Sequence, residues 1–228
     1  DAIYVQTERD RLRYIDAGAP PALLTVAGNL KHDAAAITAP PPRFVTELIQ
    51  QLRPSCVWIA ASTMPGMAPD DVDEDDVVIH AYRELAQAFP GMVLILAPRR
   101  PERFELVQQK LRDLQVNFVQ RSDDRLPPNV SLPCVLVLDT IGELASIFPL
   151  ADVVFMGGTL ARRGGHNVLE PAACNKPIVV GPHMENFAAI ADEFRAADAW
   201  LEIPGPGQLA AAVRQLLGEV SVLCGGRA

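Results

Sequence analysis

Val153-Val154-Phe155-Met156-Gly157-Gly158-Thr159-Leu160 runs on, four residues later, into Gly164-Gly165-His166-Asn167-Val168-Leu169-Glu170-Pro171. The first four residues form an unbroken apolar run without the alternation of a half-solvated strand. Such runs belong to strands covered by helices on both faces, as in a parallel sheet. Paired glycines behind a strand let the backbone come close to a ligand. Val168 to Ala173 then has the composition of a helix, so the stretch predicts one strand–turn–helix unit of an α/β domain.

The same unit recurs on either side. Apolar runs predict strands at Val57–Ala60, Val93–Ala97, Phe118–Val119, Val135–Leu138, Ile178–Val180 and Ala199–Ile203. Between them, helical spacing is carried by Val77, Val78, Tyr82, Leu85 and Phe89, by Phe104–Leu114, Gly142–Phe148, Phe187–Ala196 and Leu209–Leu217. Alternation of this kind predicts a doubly wound α/β domain on a parallel sheet, Rossmann-like in layout. Upstream, Ile3–Thr7 reads as a strand, Glu8–Tyr14 as a helix and Leu23–Val26 as a second strand. Ala39-Pro40-Pro41-Pro42 reads as a linker, because consecutive prolines join neither helix nor central strand.

Of the 228 residues, 49% are apolar and 21% charged, enough to build a core, and the net charge is −8. That balance argues against a general nucleic-acid binder, which must neutralise several phosphates with clustered Lys and Arg. It leaves room for a small anion held by local arginines. The four cysteines, Cys56, Cys134, Cys174 and Cys224, have no zinc-site spacing and read as buried thiols of a reducing compartment. No apolar run approaches the roughly 20 residues of a bilayer span, and no secretory signal is evident, so the chain is cytoplasmic in character.

Ligands of doubly wound domains bind beyond the carboxyl ends of the strands. Four post-strand segments are rich in suitable groups: Ala61-Ser62-Thr63, Pro98-Arg99-Arg100-Pro101-Glu102-Arg103-Phe104, Asp139-Thr140-Ile141-Gly142-Glu143-Leu144, and the glycine-rich stretch from Gly157 to Pro171. Gly164-Gly165 ahead of a helix start would suit a phosphate, although neither a P-loop nor a dinucleotide fingerprint is present. Asn167-x-x-Glu170 equally has the form of a capping box, and both readings stand. Thr140-x-x-Glu143 has the same form, with the cap the simpler reading. Arg99, Arg100 and Arg103 suit bidentate phosphate binding or a solvated positive face. The acidic run Asp70–Asp76 is explained by the favourable field at a helix start, at best about 0.3–1 kcal/mol per residue, and gives no reason to invoke a metal. His80 reads as packing or surface, His32 as ordinary; His183 follows a strand and keeps a functional reading.

Taken in order, Gly28-Asn29-Leu30-Lys31, Pro98-Arg99 with Pro101-Glu102-Arg103-Phe104, Asp139-Thr140 with Gly142-Glu143-Leu144, Gly164-Gly165-His166-Asn167 with Leu169-Glu170-Pro171, and Gly181-Pro182-His183 with Asn186-Phe187 closely resemble the 3-deoxy-D-manno-octulosonic acid (Kdo) transferases. The resemblance implies the C-terminal, donor-binding half of a GT-B glycosyltransferase. Residues 1–35 would be the last elements of the N-terminal acceptor domain and linker, and 36–228 the domain that binds CMP-Kdo.

It further implies inverting transfer of Kdo from CMP-Kdo to a lipid A precursor, in lipopolysaccharide core synthesis at the cytoplasmic face of the bacterial inner membrane. The full protein would associate peripherally with the membrane, with no nucleic acid, cofactor or metal. The general base would lie in the missing domain, leaving this fragment inactive alone. Glu170 would accept from the ribose, while Asn167, Gly165 and Gly158 frame the phosphate. Ser62, Thr63, Arg99, Arg103, Gly142, Glu143, Thr159, Gly164, His166 and Asn186 would complete the donor site, with Lys31 and His183 near the cleft. The chain departs from the family at Arg100, where a histidine is usual, and at Met64-Pro65-Gly66-Met67, where His-Glu-Gly-Glu is usual, followed by an insertion. Thr159 stands where serine is more common. Two alternatives remain open: a GT-B enzyme using a UDP-sugar, and a non-catalytic nucleotide-sugar-binding module.

Overall fold

The computed structural model describes residues 2–28, 39–123 and 125–223. The chain divides into two compact units, Asp1–Thr38 and Ala39–Ala228. In the first, β1 (Ile3–Val5) and β2 (Leu24–Val26) pair in parallel around α1 (Glu8–Asp16). Thr7 caps α1 by accepting from the Asp10 N–H.

The second unit opens with a helix that the apolar pattern had not singled out, α2 (Arg43–Leu52), entered through Pro42 and buried through Phe44, Val45 and Leu48. It stops at Arg53, whose φ of 47° is left-handed. Seven strands follow: β3 (Cys56–Thr63), β4 (Met92–Pro98), β5 (Phe118–Gln120), β6 (Cys134–Val137), β7 (Val153–Met156), β8 (Ile178–Val180) and β9 (Leu201–Glu202). They form one parallel sheet in the order β5-β6-β4-β3-β7-β8-β9. The doubly wound, Rossmann-like architecture expected from the apolar runs is the one observed. Winding proceeds from β3 towards β4, β6 and β5, then restarts on the other side with β7, so the topological switch point lies between β3 and β7.

Helices α3 (Glu74–Ala88), α4 (Phe104–Asp113), α5 (Leu144–Ile147), α6 (Leu169–Ala173), α7 (Ala188–Ala196) and α8 (Leu209–Leu223) connect and cover the strands. Val78, Tyr82 and Leu85 of α3 and Val107 and Leu111 of α4 pack against Trp58, Leu94, Leu96 and Val135, all within one core cluster. Each such fully buried aliphatic side chain contributes about 1.5–3 kcal/mol by leaving water. Burial pushes the Cys134 thiol up to about 12 and the Cys56 thiol up to about 11, so both are unreactive packing groups at neutral pH. The helix expected over Gly142–Phe148 is shorter. Gly142 has φ +87°, outside the helical region, and Pro149 sits in a 3₁₀ turn at Phe148–Leu150. With no N–H to give, proline cannot continue the α-helical ladder.

Candidate functional site

A cavity of about 440 Å³ opens at the carboxyl ends of the central strands. Ser62 reaches it from the end of β3, Arg99 from the residue after β4, and Ile141, Gly142, Leu144, Ala145 and Phe148 from the segment after β6. Met156 at the end of β7 and His166, Asn167, Glu170 and Phe187 close it. Its volume falls within the roughly 300–1,000 Å³ of small-molecule sites, and it combines apolar walls with a few convergent polar groups.

Each polar group is set by its local backbone. Ser62 has φ 55°, left-handed, where the β3–β4 register shifts between Ala61 and Thr63. Arg99 leaves its strand with its N–H donating to Thr63 O at 3.0 Å, and its side chain is exposed. His166 is half-buried above Gly158: a Cβ there would stand 2.9 Å from His166 Cδ2, and Gly158 has φ +71°, so only glycine fits under the ring. Among the described residues its Nε2 has no protein partner. Burial and then the charge of Arg99 lower its pKa to about 4, so the imidazole is neutral at pH 7.

The capping question at Glu170 has a geometric answer. Asn167 Oδ1 accepts from the Leu169 N–H at 3.2 Å, one residue ahead of Val168, the helix N-cap, which has no side-chain cap of its own. Glu170 Oε1 instead accepts from Asn167 Nδ2 at 3.1 Å, so the reciprocal half of a capping box is replaced by a side-chain pair at the cavity wall. Glu143 is also occupied: it accepts from Arg121 Nη2 at 2.7 Å and from the Thr140 hydroxyl at 2.5 Å, and it does not line the cavity.

Several expected donor residues are engaged elsewhere. Arg103 lies in an ionic cluster, donating to Asp75 and Asp73, and Lys110 Nζ lies 3.0 Å from Asp73. The Thr63 hydroxyl donates to Asp75 Oδ1 at 2.6 Å. Burial opposes ionisation of Asp73, yet the bonds from Arg103 and Lys110 outweigh it and hold its carboxyl low. The Thr159 hydroxyl donates to Met156 O at 2.6 Å and accepts from the Gly181 N–H at 2.8 Å, a wholly internal bridge from β7 to β8. Gly164 and Gly165 serve close packing: Cβ atoms there would meet Asn186 Nδ2 at 2.5 Å and Met184 Sδ at 2.5 Å. Asn186 Nδ2 donates to Arg163 O at 2.9 Å and so holds this loop without lining the cavity. His183 pairs with Glu185 at 3.1 Å away from the cavity lining. Lys31 lies outside the described residues.

The acidic run holds the main surprise. Asp73 does cap α3, as a helix-start carboxylate should, by accepting from the Asp75 N–H. Glu74, however, is fully buried. Its Oε1 accepts from the N–H groups of Thr159, Leu160 and Ala161 at 3.0, 2.8 and 3.1 Å. Its Oε2 accepts from Gly158 at 2.6 Å and Met64 at 2.9 Å. The Gly158 N–H expected to frame a phosphate is therefore already used. Burial raises the Glu74 pKa to about 7, against the pull of these donors towards the anion. Nothing in the local sequence separates such a carboxylate from its capping neighbours; the one hint was an acidic run longer than a cap requires.

No protein-family model matches the chain. It is 36% identical over 180 residues to the 3-deoxy-D-manno-octulosonic acid transferase of Haemophilus influenzae, covering 78% of this chain and 40% of that protein. It is 34% identical over 209 residues to the enzyme of the same name from Bordetella pertussis, covering 90% and 46%. Among solved structures, the C-terminal CMP-Kdo binding domain of WaaA from Acinetobacter baumannii matches with 31% identity and a TM-score of 0.63, covering 78% of this chain and 95% of that one. This chain belongs to the Kdo transferase family. It spans less than half the length of the two curated Kdo transferases. A putative UDP-N-acetylglucosamine 2-epimerase from Listeria monocytogenes, 14% identical with a TM-score of 0.60 over 99% of this chain and 54% of that one, shares the fold alone. Within the Kdo transferase family, then, the cavity at the switch point is the candidate site.

Proposed function

We propose that this chain is the CMP-Kdo-binding half of a Kdo transferase, and that the whole enzyme transfers Kdo with inversion to a lipid A precursor. One observation carries the reading. Arg99, His166, Asn167 and Glu170, drawn from sequence segments up to 71 residues apart, converge with Ser62 and Gly142 on one cavity beside the switch point. The likeness to a domain described as binding CMP-Kdo supports the same assignment.

The chemistry follows from the groups present. The exposed Arg99 guanidinium, which forms no ion pair among the described residues, suits a phosphate through two parallel hydrogen bonds. The neutral imidazole of His166 offers a hydrogen bond from inside a desolvated wall, and Glu170 accepts from vicinal ribose hydroxyls. Phe148, Ile141 and Leu144 give the base an apolar surface. As the sugar departs, negative charge grows on the CMP phosphate, and preorganised donors stabilise that charge at no reorganisation cost. The N-terminal domain of the whole enzyme would hold the lipid acceptor, whose hydroxyl attacks, and supply the general base. Work at the cytoplasmic face of the inner membrane, by peripheral association, goes with this substrate pair. No described helix is long and apolar enough to cross a membrane.

Calorimetric titration of the chain with CMP and with UDP tests the reading. CMP should bind more tightly; equal or tighter binding of UDP would favour a UDP-sugar enzyme on the same fold. Assay of the full-length enzyme with CMP-Kdo separates a transferase from a binding module.

A further inference from the structure

The loop from Gly158 to Ala161 turns four consecutive backbone N–H groups inward, and with the N–H of Met64 they close on the two oxygens of Glu74. Converging backbone N–H groups make an anion-binding nest. Here the anion is the protein's own carboxylate, fully buried. The strap also runs the other way, because the Glu74 N–H donates to Met64 O at 3.1 Å. Met64 follows the end of β3, and Gly158 follows the end of β7, so one side chain ties the two strand ends that flank the switch point.

We infer that Glu74 is a positioning residue that fills an internal anion nest and thereby sets the floor of the donor cavity. The connection to the cavity is short. Gly158 lies under the His166 ring, and its carbonyl accepts from the Gly165 N–H at 2.8 Å. Ser62 stands two residues before Met64. If the nest empties, five buried N–H groups lose their acceptor, and the loop under His166 has no reason to keep its shape. The family resemblance gives Glu74 no part, since the local motif around Met64 departs from the usual one. The inference rests on the donor-binding reading of the cavity.

Glu74→Gln keeps the side-chain shape but turns an amide N–H₂ group towards backbone donors. It is expected to lower the CMP affinity of the chain by at least about tenfold while the chain stays folded by circular dichroism. Glu74→Ala should lose the same affinity and regain it saturably with added formate, which refills the nest; formate should leave the native chain unchanged. Native CMP affinity in a folded Glu74→Gln chain overturns the inference, and so does a folded Glu74→Ala chain that formate does not restore. If Glu74→Ala does not fold, the Glu74→Gln affinity alone decides. Failure of the native chain to bind CMP would count against the donor reading instead. The nest would then be decided by the His166 imidazole resonance of Glu74→Ala: formate returns it to its native position if the carboxylate shapes the loop, and leaves it displaced if not.

Discussion

Arg103 Nε donates to the buried Asp75 carboxylate at 2.9 Å, whereas Arg99, four residues earlier, lines the cavity. The two arginines share a motif and divide its work. Arg103 ties α4 to the start of α3, and Asp75 in turn accepts from Thr63 at the end of β3. Arg99 carries its charge to the ligand side.

Arg99→Ala should therefore weaken CMP binding by about tenfold to a hundredfold, the range for a charge-assisted bond to phosphate. Its effect on stability should stay within about 0.5 kcal/mol, as for an exposed side chain. Titration calorimetry beside chemical denaturation checks both halves. Unchanged CMP affinity would remove the main cation from the site.

Arg103→Met should behave in the opposite way. Removing one partner of a buried pair leaves Asp75 charged and uncompensated, at a cost of roughly 3–5 kcal/mol. Where the variant remains folded, its CMP affinity should stay within about threefold of native. A large loss of affinity with native stability would return Arg103 to the donor site.

Glu170→Gln isolates the ligand reading from the cap. Glu170 pairs with the Asn167 side chain, and the substitution leaves the Asn167 Oδ1 bond to the Leu169 N–H at the helix start in place. Thermal stability should therefore be nearly native, while CMP affinity falls about tenfold to a hundredfold through loss of charge-assisted bonds to the ribose. Loss of stability without loss of affinity would restore the cap as the reason for this residue.

His166 should leave a signature in pH. Its folded pKa of about 4 lies below the ordinary 6.5, so between those values the unfolded chain binds a proton that the folded chain does not. Stability from this group is thus complete above pH 6.5 and declines as pH falls towards 4, by at most about 3.5 kcal/mol at roughly 1.4 kcal/mol per unit. Denaturation curves of native and His166→Gln chains across this range measure the difference. Comparing the two removes the contribution of Glu74, whose raised pKa acts in the opposite sense. Parallel pH dependence in both chains would show that the imidazole is not held neutral by the fold.

The strands were legible because a sheet covered on both faces writes itself as unbroken apolar runs; Val153–Met156 and Ile178–Val180 end where the runs end. The cavity was legible through the rule that ligands sit at strand carboxyl ends, which singled out the segments that carry Ser62, Arg99, His166, Asn167 and Glu170. What stayed hidden were partnerships across long sequence separations. Glu74 meets Gly158 across 84 residues, and a carboxylate bound to distant backbone has the same local neighbourhood as one serving a helix start. The pairing of Arg103 with Asp73 and Asp75 was hidden for a related reason, since post-strand spacing does not tell on which side of the strand end a side chain finds its charge. Helix α2 was overshadowed by the prolines before it, although Phe44, Val45 and Leu48 carry its apolar face.

The placement of β3 has a consequence for the chain during synthesis. Its partner on one side, β4, begins 36 residues after it, but β7, on the other, pairs Val153 with Trp58 across 95. A nascent chain that has emerged only as far as β6 can form the β5-β6-β4-β3 half of the sheet. It then presents Val57, Trp58, Ile59 and Ala60 as an open apolar edge. Such edges recruit strands from other molecules. Aggregation is thus a hazard of translation, removed when β7 docks and the candidate site takes shape in the same step.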